Sequence, residues 1–449
     1  MKQLKSYVGK KVLVLGLAKS GFNAAILLTK LGAEVTANDQ QNSSEATQLR
    51  NLGLNVITGN NSIEILNQGF DLIVKNPGIN YENPLIQVAL ERQIPIITEP
   101  ELAYEVSQAP FIGVTGTNGK TTTTTLIRLI LDQDRAKGHA YKAGNIGIPV
   151  SKVVQEATAD DDVVVELSSF QLLGTTKLRP KIAVLTNIYE AHLDYHKTRA
   201  NYVKAKMKIT ANQAVTDYFV VNFDKLEWRE LSRQTQAQVV PFSRLKKSTA
   251  GAYQDGNTLY FRGEPIIDVS EIVLPGQHNL ENCLAAIAVA KLLGKSNETI
   301  KKVLTTFQGV KHRIQFVQEI HGRRVYNDSK ATNIEATIVA LQSFEQPIVL
   351  IAGGLDRGFN FDELVEPLKR VKAIVLYGET KFLMQTAAKK AEIKTIALVD
   401  RLDDAVEQAY QFTNEGDVLL LSPAAASWDQ FKTFEERGDR FIEDIEKLK

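Results

Sequence analysis

Cysteine is all but missing from this 449-residue chain, which carries only Cys283. One thiol excludes an intrachain disulfide framework and a cysteine-rich zinc site. Excess charge is missing too. Lys and Arg number 53 against 52 Asp and Glu, a net charge of +1. That balance excludes nucleic-acid binding by bulk phosphate neutralisation, although it leaves room for a local basic pocket. Long hydrophobic runs are absent: stretches such as 12–17 and 284–289 fall far short of the ~20 residues that span a bilayer. The charged N-terminus has an apolar stretch that stops at Lys19 with no small-residue cleavage pattern, so no signal peptide is expected. Repeats and low-complexity tracts are also lacking. What is present is 44% hydrophobic and 23% charged residues, the balance of a folded chain. The length suits about three units of ~150 residues. The expectation is a soluble, cytoplasmic, multidomain α/β protein.

Strand–turn–helix punctuation divides the chain. Near the N-terminus a strand at Lys11–Leu15 leads through a Gly-containing turn to a helix over 21–31, then to strands at 34–38 and 72–74. Asn76-Pro77-Gly78 follows as a strong turn signal. A second unit opens with a strand at 111–114, a Gly/Thr-rich loop and a helix from about Thr121. Strands follow at 163–166, Ile182–Leu185 and Tyr218–Asn222. Short β-like runs with turns over 238–275 predict a small antiparallel insertion, and a helix over 280–293 closes the unit. After Gly309, strands at 324–327, 347–352, 373–377, 394–398 and 417–421 alternate with helices such as 361–369 and Lys381–Lys390. Such alternation predicts parallel sheets with ligand sites at the carboxyl ends of the strands.

Gly113-Val-Thr-Gly-Thr-Asn-Gly-Lys-Thr-Thr122 is the strongest chemical signal. The strict phosphate-loop pattern fails at Val114, yet its mechanical parts are present. A strand enters, Gly116 and Gly119 let backbone N–H groups wrap phosphate oxygens, and a helix leaves. Lys120 can bridge the β- and γ-phosphates, and the Thr121 hydroxyl can ligate Mg²⁺. Gly16-Leu-Ala-Lys-Ser-Gly21 is weaker. It has Ala18 where a dinucleotide fingerprint has glycine, with Asp39 placed 18 residues beyond Gly21. A diphosphate site and a plain strand-to-helix turn both fit it. Glu166 and His192 each follow an apolar strand and are candidate metal ligands, with Asp194 and His196 as competitors. Composition makes 202–209 a solvated cationic face and does not separate Lys206 from Lys204 or Lys208. Three polar loops after strands of the last unit, 327–333, 353–358 and 422–431, are where substrate groups would be held.

With these residues in view the chain resembles the Mur ligase family, which joins amino acids to the peptide of bacterial cell-wall precursors. The resemblance covers essentially the whole chain. It rests on 115–122, 143–147, 166–171, 276–279 with Asn282, 312–313, 327–333 and 422–431. It implies a three-domain α/β architecture: a Rossmann-like N-terminal domain (1–100) for the UDP-linked substrate, a central phosphate-loop ATPase domain (101–308) with the small antiparallel insertion, and a C-terminal Rossmann-like domain (309–449) for the amino acid.

The pattern is nearest the D-glutamate-adding branch. The resemblance then implies two small-molecule substrates, UDP-N-acetylmuramoyl-L-alanine and D-glutamate, with ATP and two Mg²⁺ ions as cofactors and a monomeric enzyme. Gly116, Thr117, Asn118, Gly119, Lys120, Thr121, Thr122, Asn279, Asn282, Arg313 and Asp328 would hold ATP. Ser20, Asp39, Asn76 and Gly78 would hold the UDP moiety, and Asn145, Ser168 and Gln171 the muramoyl-alanine part. Lys330, Thr332, Arg357, Ser427 and Phe434 would hold D-glutamate. Metal ligands would be Thr121, Glu166, His192 and Lys206, the last as a CO₂-derived carbamate. Catalysis would fall to Lys120, Glu166, His192, Lys206 and Lys330. Two departures stand out: Gln40 and Gln41 follow Asp39 where some relatives carry Thr-Arg, and Arg357 replaces a common lysine.

Overall fold

The computed structural model describes residues 1–2, 4–59, 62–358 and 360–448. Three separate sheets form. In the first, β1 (Lys11–Leu15), β2 (Glu34–Asp39), β3 (Asn55–Thr58), β4 (Leu72–Lys75) and β5 (Ile96–Ile97) lie in the order β3-β2-β1-β4-β5, all parallel. An unbroken apolar run makes β1 a strand buried on both faces, as parallel sheets require. Val12 and Val14 enter one core, while Leu13 and Leu15 enter the other.

The second sheet has nine strands: β6 (Phe111–Thr115), β7 (Ala140–Gly144), β8 (Asp162–Glu166), β9 (Ile182–Leu185), β10 (Tyr218–Asn222), β11 (Gln238–Ser243), β12 (Ala252–Asp255), β13 (Thr258–Phe261) and β14 (Glu264–Asp268). Their order is β14-β13-β12-β11-β10-β9-β6-β8-β7. The antiparallel insertion expected over 238–275 does not stand apart. β11 lies parallel to β10 and β12 parallel to β11, so both extend the main sheet, and the antiparallel pairings are β12 with β13 and β13 with β14. The helix Leu226–Leu231 carries the chain across between β10 and β11, which makes their parallel pairing possible.

The third sheet comprises β15 (Gln315–Ile320), β16 (Arg323–Asn327), β17 (Ile348–Gly353), β18 (Val371–Tyr377), β19 (Thr395–Leu398) and β20 (Val418–Leu421). Its order is β15-β16-β20-β17-β18-β19, parallel except for the β15–β16 hairpin. The expected helix over 361–369 is a 3₁₀ turn, Asp362–Leu364, running into a short helix, Val365–Leu368. The chain forms two compact units, 1–271 with 281–303, and 272–280 with 304–449. Among the described residues no helix is long and apolar enough to cross a membrane.

Candidate active site

β6 lies between β9 on one side and β8 on the other, so strand order reverses at its carboxyl end. At such a switch point the two flanking loops part and leave a crevice. The Gly/Thr loop emerges there and runs into the helix Lys120–Asp132. Gly116 (φ 150°) and Gly119 (φ 79°) have backbone geometry that side chains resist, and both are closely packed. A Cβ on Gly116 would overlap the Thr186 hydroxyl, and one on Gly119 would overlap Asn282 Oδ1.

The loop is braced from the segment after β9. Thr117 N–H donates to the Asn187 carbonyl (2.9 Å), Asn118 N–H to Asn187 Oδ1 (2.8 Å), and Thr186 Oγ1 to the Asn118 carbonyl (2.6 Å). Asn187 was not among the expected site residues. Its only signal in the sequence is a Thr-Asn pair at the end of an apolar strand. Asn282 lies against the loop as expected and accepts a hydrogen bond from Thr123 (3.1 Å).

Two lysines converge on one carbonyl. Lys120 Nζ donates to Gly116 O (2.9 Å) and Thr117 O (2.8 Å), and Lys206 Nζ donates to the same Gly116 O (2.6 Å). Here the solvated-face reading of 202–209 fails. Lys206 is 2% exposed on the inward side of the helix Arg199–Met207, with its amine 4.5 Å from the Tyr202 ring, while Lys204 is exposed. Burial, reinforced by the neighbouring Lys120 charge and opposed by Glu166, holds the Lys206 amine well below the usual lysine range.

Glu166, 1% exposed at the end of β8, meets neutral donors: Thr121 Oγ1 (2.8 Å) at one oxygen and Asn145 Nδ2 (3.0 Å) at the other. A buried carboxylate held by neutral donors is costly without a cation, and a divalent ion beside Thr121 and Glu166 fits that requirement. Among the described residues no group of three His, Cys, Asp or Glu side chains could hold a metal ion. His192 sits at φ 56°, edge-on to Phe170 at 5.0 Å. Partial burial, then the Lys206 and Lys120 charges, lower its pKa. His196, its competitor, is buried and bonded to Ser169 Oγ (2.9 Å), and Asp194 is exposed.

The expected muramoyl-alanine contacts divide. Asn145 is on Glu166, whereas Ser168 and Gln171 form a reciprocal capping box that closes the helix Ser169–Leu173. In the first sheet a cleft of about 510 Å³ is lined by Gly16, Asp39, Asn76 and Gly78. Asp39 Oδ2 accepts from Leu17 N–H (2.6 Å) and Oδ1 from Gln41 N–H (2.9 Å), so this carboxylate shapes the loop. Asn76 Nδ2 reaches Ser20 Oγ at 3.5 Å, and Asn76 Oδ1 accepts from Gly78 N–H at 3.0 Å.

In the other compact unit the loops after β16, β17 and β20 leave the same edge of neighbouring strands. Thr332 and Arg357 line one cleft of about 510 Å³ with Ala424 and Ala425. Lys330 Nζ lies 4.9 Å over the Phe434 ring, and Ser427 is buried. Asn279 donates to the Pro275 carbonyl (2.7 Å). Asp328 is fully enclosed, accepting from Ile314 N–H (3.1 Å) and Ser422 Oγ (2.8 Å), and burial raises its pKa to about 7. It fixes the backbone beside Arg313. Arg437 is a further residue the sequence did not single out. Fully buried, it ties Ser329 (Nε to Oγ 3.0 Å, Nη2 to O 2.8 Å) to the Ala425 carbonyl (3.0 Å), joining two of the three loops.

A glycine-lined phosphate cradle, a carboxylate on its threonine and a buried amine define a phosphoryl-transfer site. Comparison with known proteins agrees along the whole chain. Residues 10–98 match the model of the Mur ligase MurD-like N-terminal domain, 114–290 the Mur ligase middle domain, and 312–425 the Mur ligase glutamate ligase domain. The chain is 62% identical to the UDP-N-acetylmuramoylalanine–D-glutamate ligase of Latilactobacillus sakei, over 100% of both chains. It is 60% identical to the protein of that name from Ligilactobacillus salivarius, over 100% of this chain and 98% of the other. Among solved structures, UDP-N-acetylmuramate-alanine ligase MurC from Thermotoga maritima shares the fold at 20% identity, with a TM-score of 0.61 over 98% of this chain and 100% of that one. The chain belongs to the Mur ligase family.

Proposed function

We propose that this chain is the ATP-dependent ligase that joins D-glutamate to UDP-N-acetylmuramoyl-L-alanine in peptidoglycan precursor synthesis. Full-length identity of 62% to a relative so named supports the substrates. One observation carries the chemistry: Lys120, the Thr121–Glu166 pair and the buried Lys206 amine all gather on one phosphate loop.

The L-alanine carboxylate attacks the γ-phosphorus of ATP as the bond to the β-phosphate breaks, giving an acyl phosphate and ADP. The α-amine of D-glutamate then attacks the acyl carbon, loses a proton and expels phosphate. Two anions must meet in the first step, so positioning and charge neutralisation carry the catalysis. Loop N–H groups from Gly119 to Thr122 and the Lys120 ammonium serve that end, while Asn187 holds the Thr117 and Asn118 N–H groups and so shapes the loop. Thr121 and Glu166 would hold one Mg²⁺, which when bound supplies neutralising positive charge. Asn282 orders the loop. Lys330 and Arg357 supply cations for the D-glutamate carboxylates, with Thr332, Ser427 and Phe434 around them. Arg313, Asp328 and Asn279 serve the nucleotide.

Lys206 acts after modification. Its neutral amine adds through its lone pair to the carbon of CO₂ and loses a proton, so an uncharged side chain becomes a carbamate anion. That anion and His192 would hold a second Mg²⁺. The first-sheet cleft receives the UDP moiety through Ser20, Asn76 and Gly78, and Asn145 would meet the muramoyl-alanine part.

The test is ADP release by purified protein with UDP-N-acetylmuramoyl-L-alanine and ATP. ADP should appear in proportion to added D-glutamate and not to L-glutamate, L-alanine or L-lysine. Release driven equally by another amino acid would overturn the assignment.

A further inference from the structure

Lys75 is the last residue of β4 and is 1% exposed. Its Nζ donates to three carbonyls of the turn that follows: Ile79 (2.7 Å), Asn76 (3.3 Å) and Pro77 (3.5 Å). The Tyr81 ring closes over it at 4.6 Å. Among the described residues no carboxylate within salt-bridge distance is recorded for it, and burial alone lowers its pKa, to about 8. An ammonium buried without a counter-ion is expensive, and its retention here needs a reason. The carbonyls it collects supply one. Two of them, Pro77 and Ile79, also accept from the hydroxyl of Tyr195 (3.4 and 3.2 Å), which comes from the central domain. Tyr195 packs edge-on against Phe170 (4.6 Å), and Phe170 packs against His192. The same turn carries Asn76 and Gly78 on its outer side, facing the cleft.

We infer that Lys75 is a positioning residue for the UDP-linked substrate: its buried ammonium gathers the carbonyls of the 76–79 turn, presents Asn76 and Gly78 to the cleft and docks the turn on Tyr195 of the His192 segment. The inference rests on reading that cleft as the UDP site. Its energetic logic is preorganisation, since a turn frozen before binding need not be ordered by the substrate.

The experiment measures the affinity of Lys75→Met for UDP-N-acetylmuramoyl-L-alanine and, separately, for ATP, by calorimetry on the full chain. Loss of charge-assisted hydrogen bonds should weaken the UDP substrate about tenfold and leave ATP within about twofold. Tyr195→Phe, which removes one hydroxyl, should act in the same direction more weakly. Because both donors serve the same carbonyls, the double variant should lose less than the product of the two single losses.

In the parent protein, substrate affinity should fall as pH rises through about 8, where the ammonium loses its proton, and Lys75→Met should lack that step. The titratable groups facing Nζ are Tyr81 and Tyr195, both raised by burial, Tyr195 to about 12, so neither ionises in that range. Asn76→Ala separates the two ideas. If it weakens the UDP substrate while Lys75→Met does not, the positioning role is overturned alone. If neither variant has an effect, the cleft assignment and the positioning role both fall. Equal losses of UDP substrate and ATP in Lys75→Met would reduce Lys75 to a general structural residue and also overturn the inference.

Discussion

Charge decides the residue scale, and Lys206 shows how. A lysine in water is a cation and cannot attack CO₂. Inside the helix Arg199–Met207, burial and the Lys120 charge push its amine toward neutrality, while the shared Gly116 carbonyl fixes its position. Under the proposed scheme, replacing it with alanine should cut ligation on the order of 100-fold, because the carbamate that would steady a second metal ion could not form. Acetate or formate should restore part of the loss by occupying the carbamate's place, and a rescued rate in a steady-state assay is the check. Full activity without rescue would end the carbamate proposal. The acid side gives a second prediction. Falling pH protonates the amine and reverses carbamate formation, so activity should decline toward acid and be partly recovered by raising dissolved CO₂ at constant pH. An acid limb insensitive to CO₂ would assign it elsewhere, with His192, itself lowered, the next group to examine.

Elements decide which of these residues the sequence could reveal. The phosphate loop was legible because its function is local: strand, glycines, Lys-Thr and helix occupy ten consecutive residues. Of the supports of that loop, Asn187 was not, and Asn282 came from the family resemblance rather than from any local pattern. Asn187 meets Asn118 across 69 residues of chain, and Asn282 meets Gly119 only through the packing of a distant helix. Lys206 was invisible to composition for a related reason, and only the family resemblance singled it out. A lysine-rich helix with little amphipathic contrast does not declare which lysine faces inward; the loop carbonyl and the neighbouring helices it packs against do. At 238–275 turn chemistry correctly marked β13 and β14, but pairing partners depend on crossover connections, and β11 joined the parallel sheet. The element-level prediction concerns Gly119. Alanine there must hold φ near 79° and overlap Asn282, so the loop must shift. ATP affinity measured by titration should drop about tenfold or more, a backbone strain of 1–3 kcal/mol being of that size. Trimming Asn282 to glycine in the same chain should return only part of it, because the φ penalty remains. Complete recovery would show that crowding alone matters.

On the scale of the whole molecule, the helix Glu99–Val106 straps the first sheet to the second through three carboxylates. Glu101 accepts from Thr176 Oγ1, Lys177 N–H and Leu178 N–H (2.8, 2.6 and 3.0 Å), and Glu105 accepts from Tyr7 (2.9 Å) and Lys177 (2.8 Å). Thr98, at the helix start, donates to Gln171 O (2.7 Å) beside Gly174, where a side chain would collide with it. Glu99 differs from its two neighbours. It is 2% exposed, accepts from Ser151 N–H, and burial raises its pKa to about 7. Its folded pKa therefore lies above the unfolded value of 4.5. Between those two values the folded chain keeps a proton that the unfolded chain has lost, so this group's contribution to stability falls as pH rises and is constant above about 7. The difference amounts to about 3 kcal/mol. Glu99→Gln keeps an acceptor for Ser151 and carries no charge at any pH. Urea unfolding of both proteins at pH 5 and pH 8 should show the variant gaining on the parent by about that amount at the higher pH, with Asp328 and the other shifted groups common to both and cancelling. An unchanged difference across the two pH values would mean that the strap accommodates a charged Glu99, and that the seam between the two sheets is wetter than its geometry indicates.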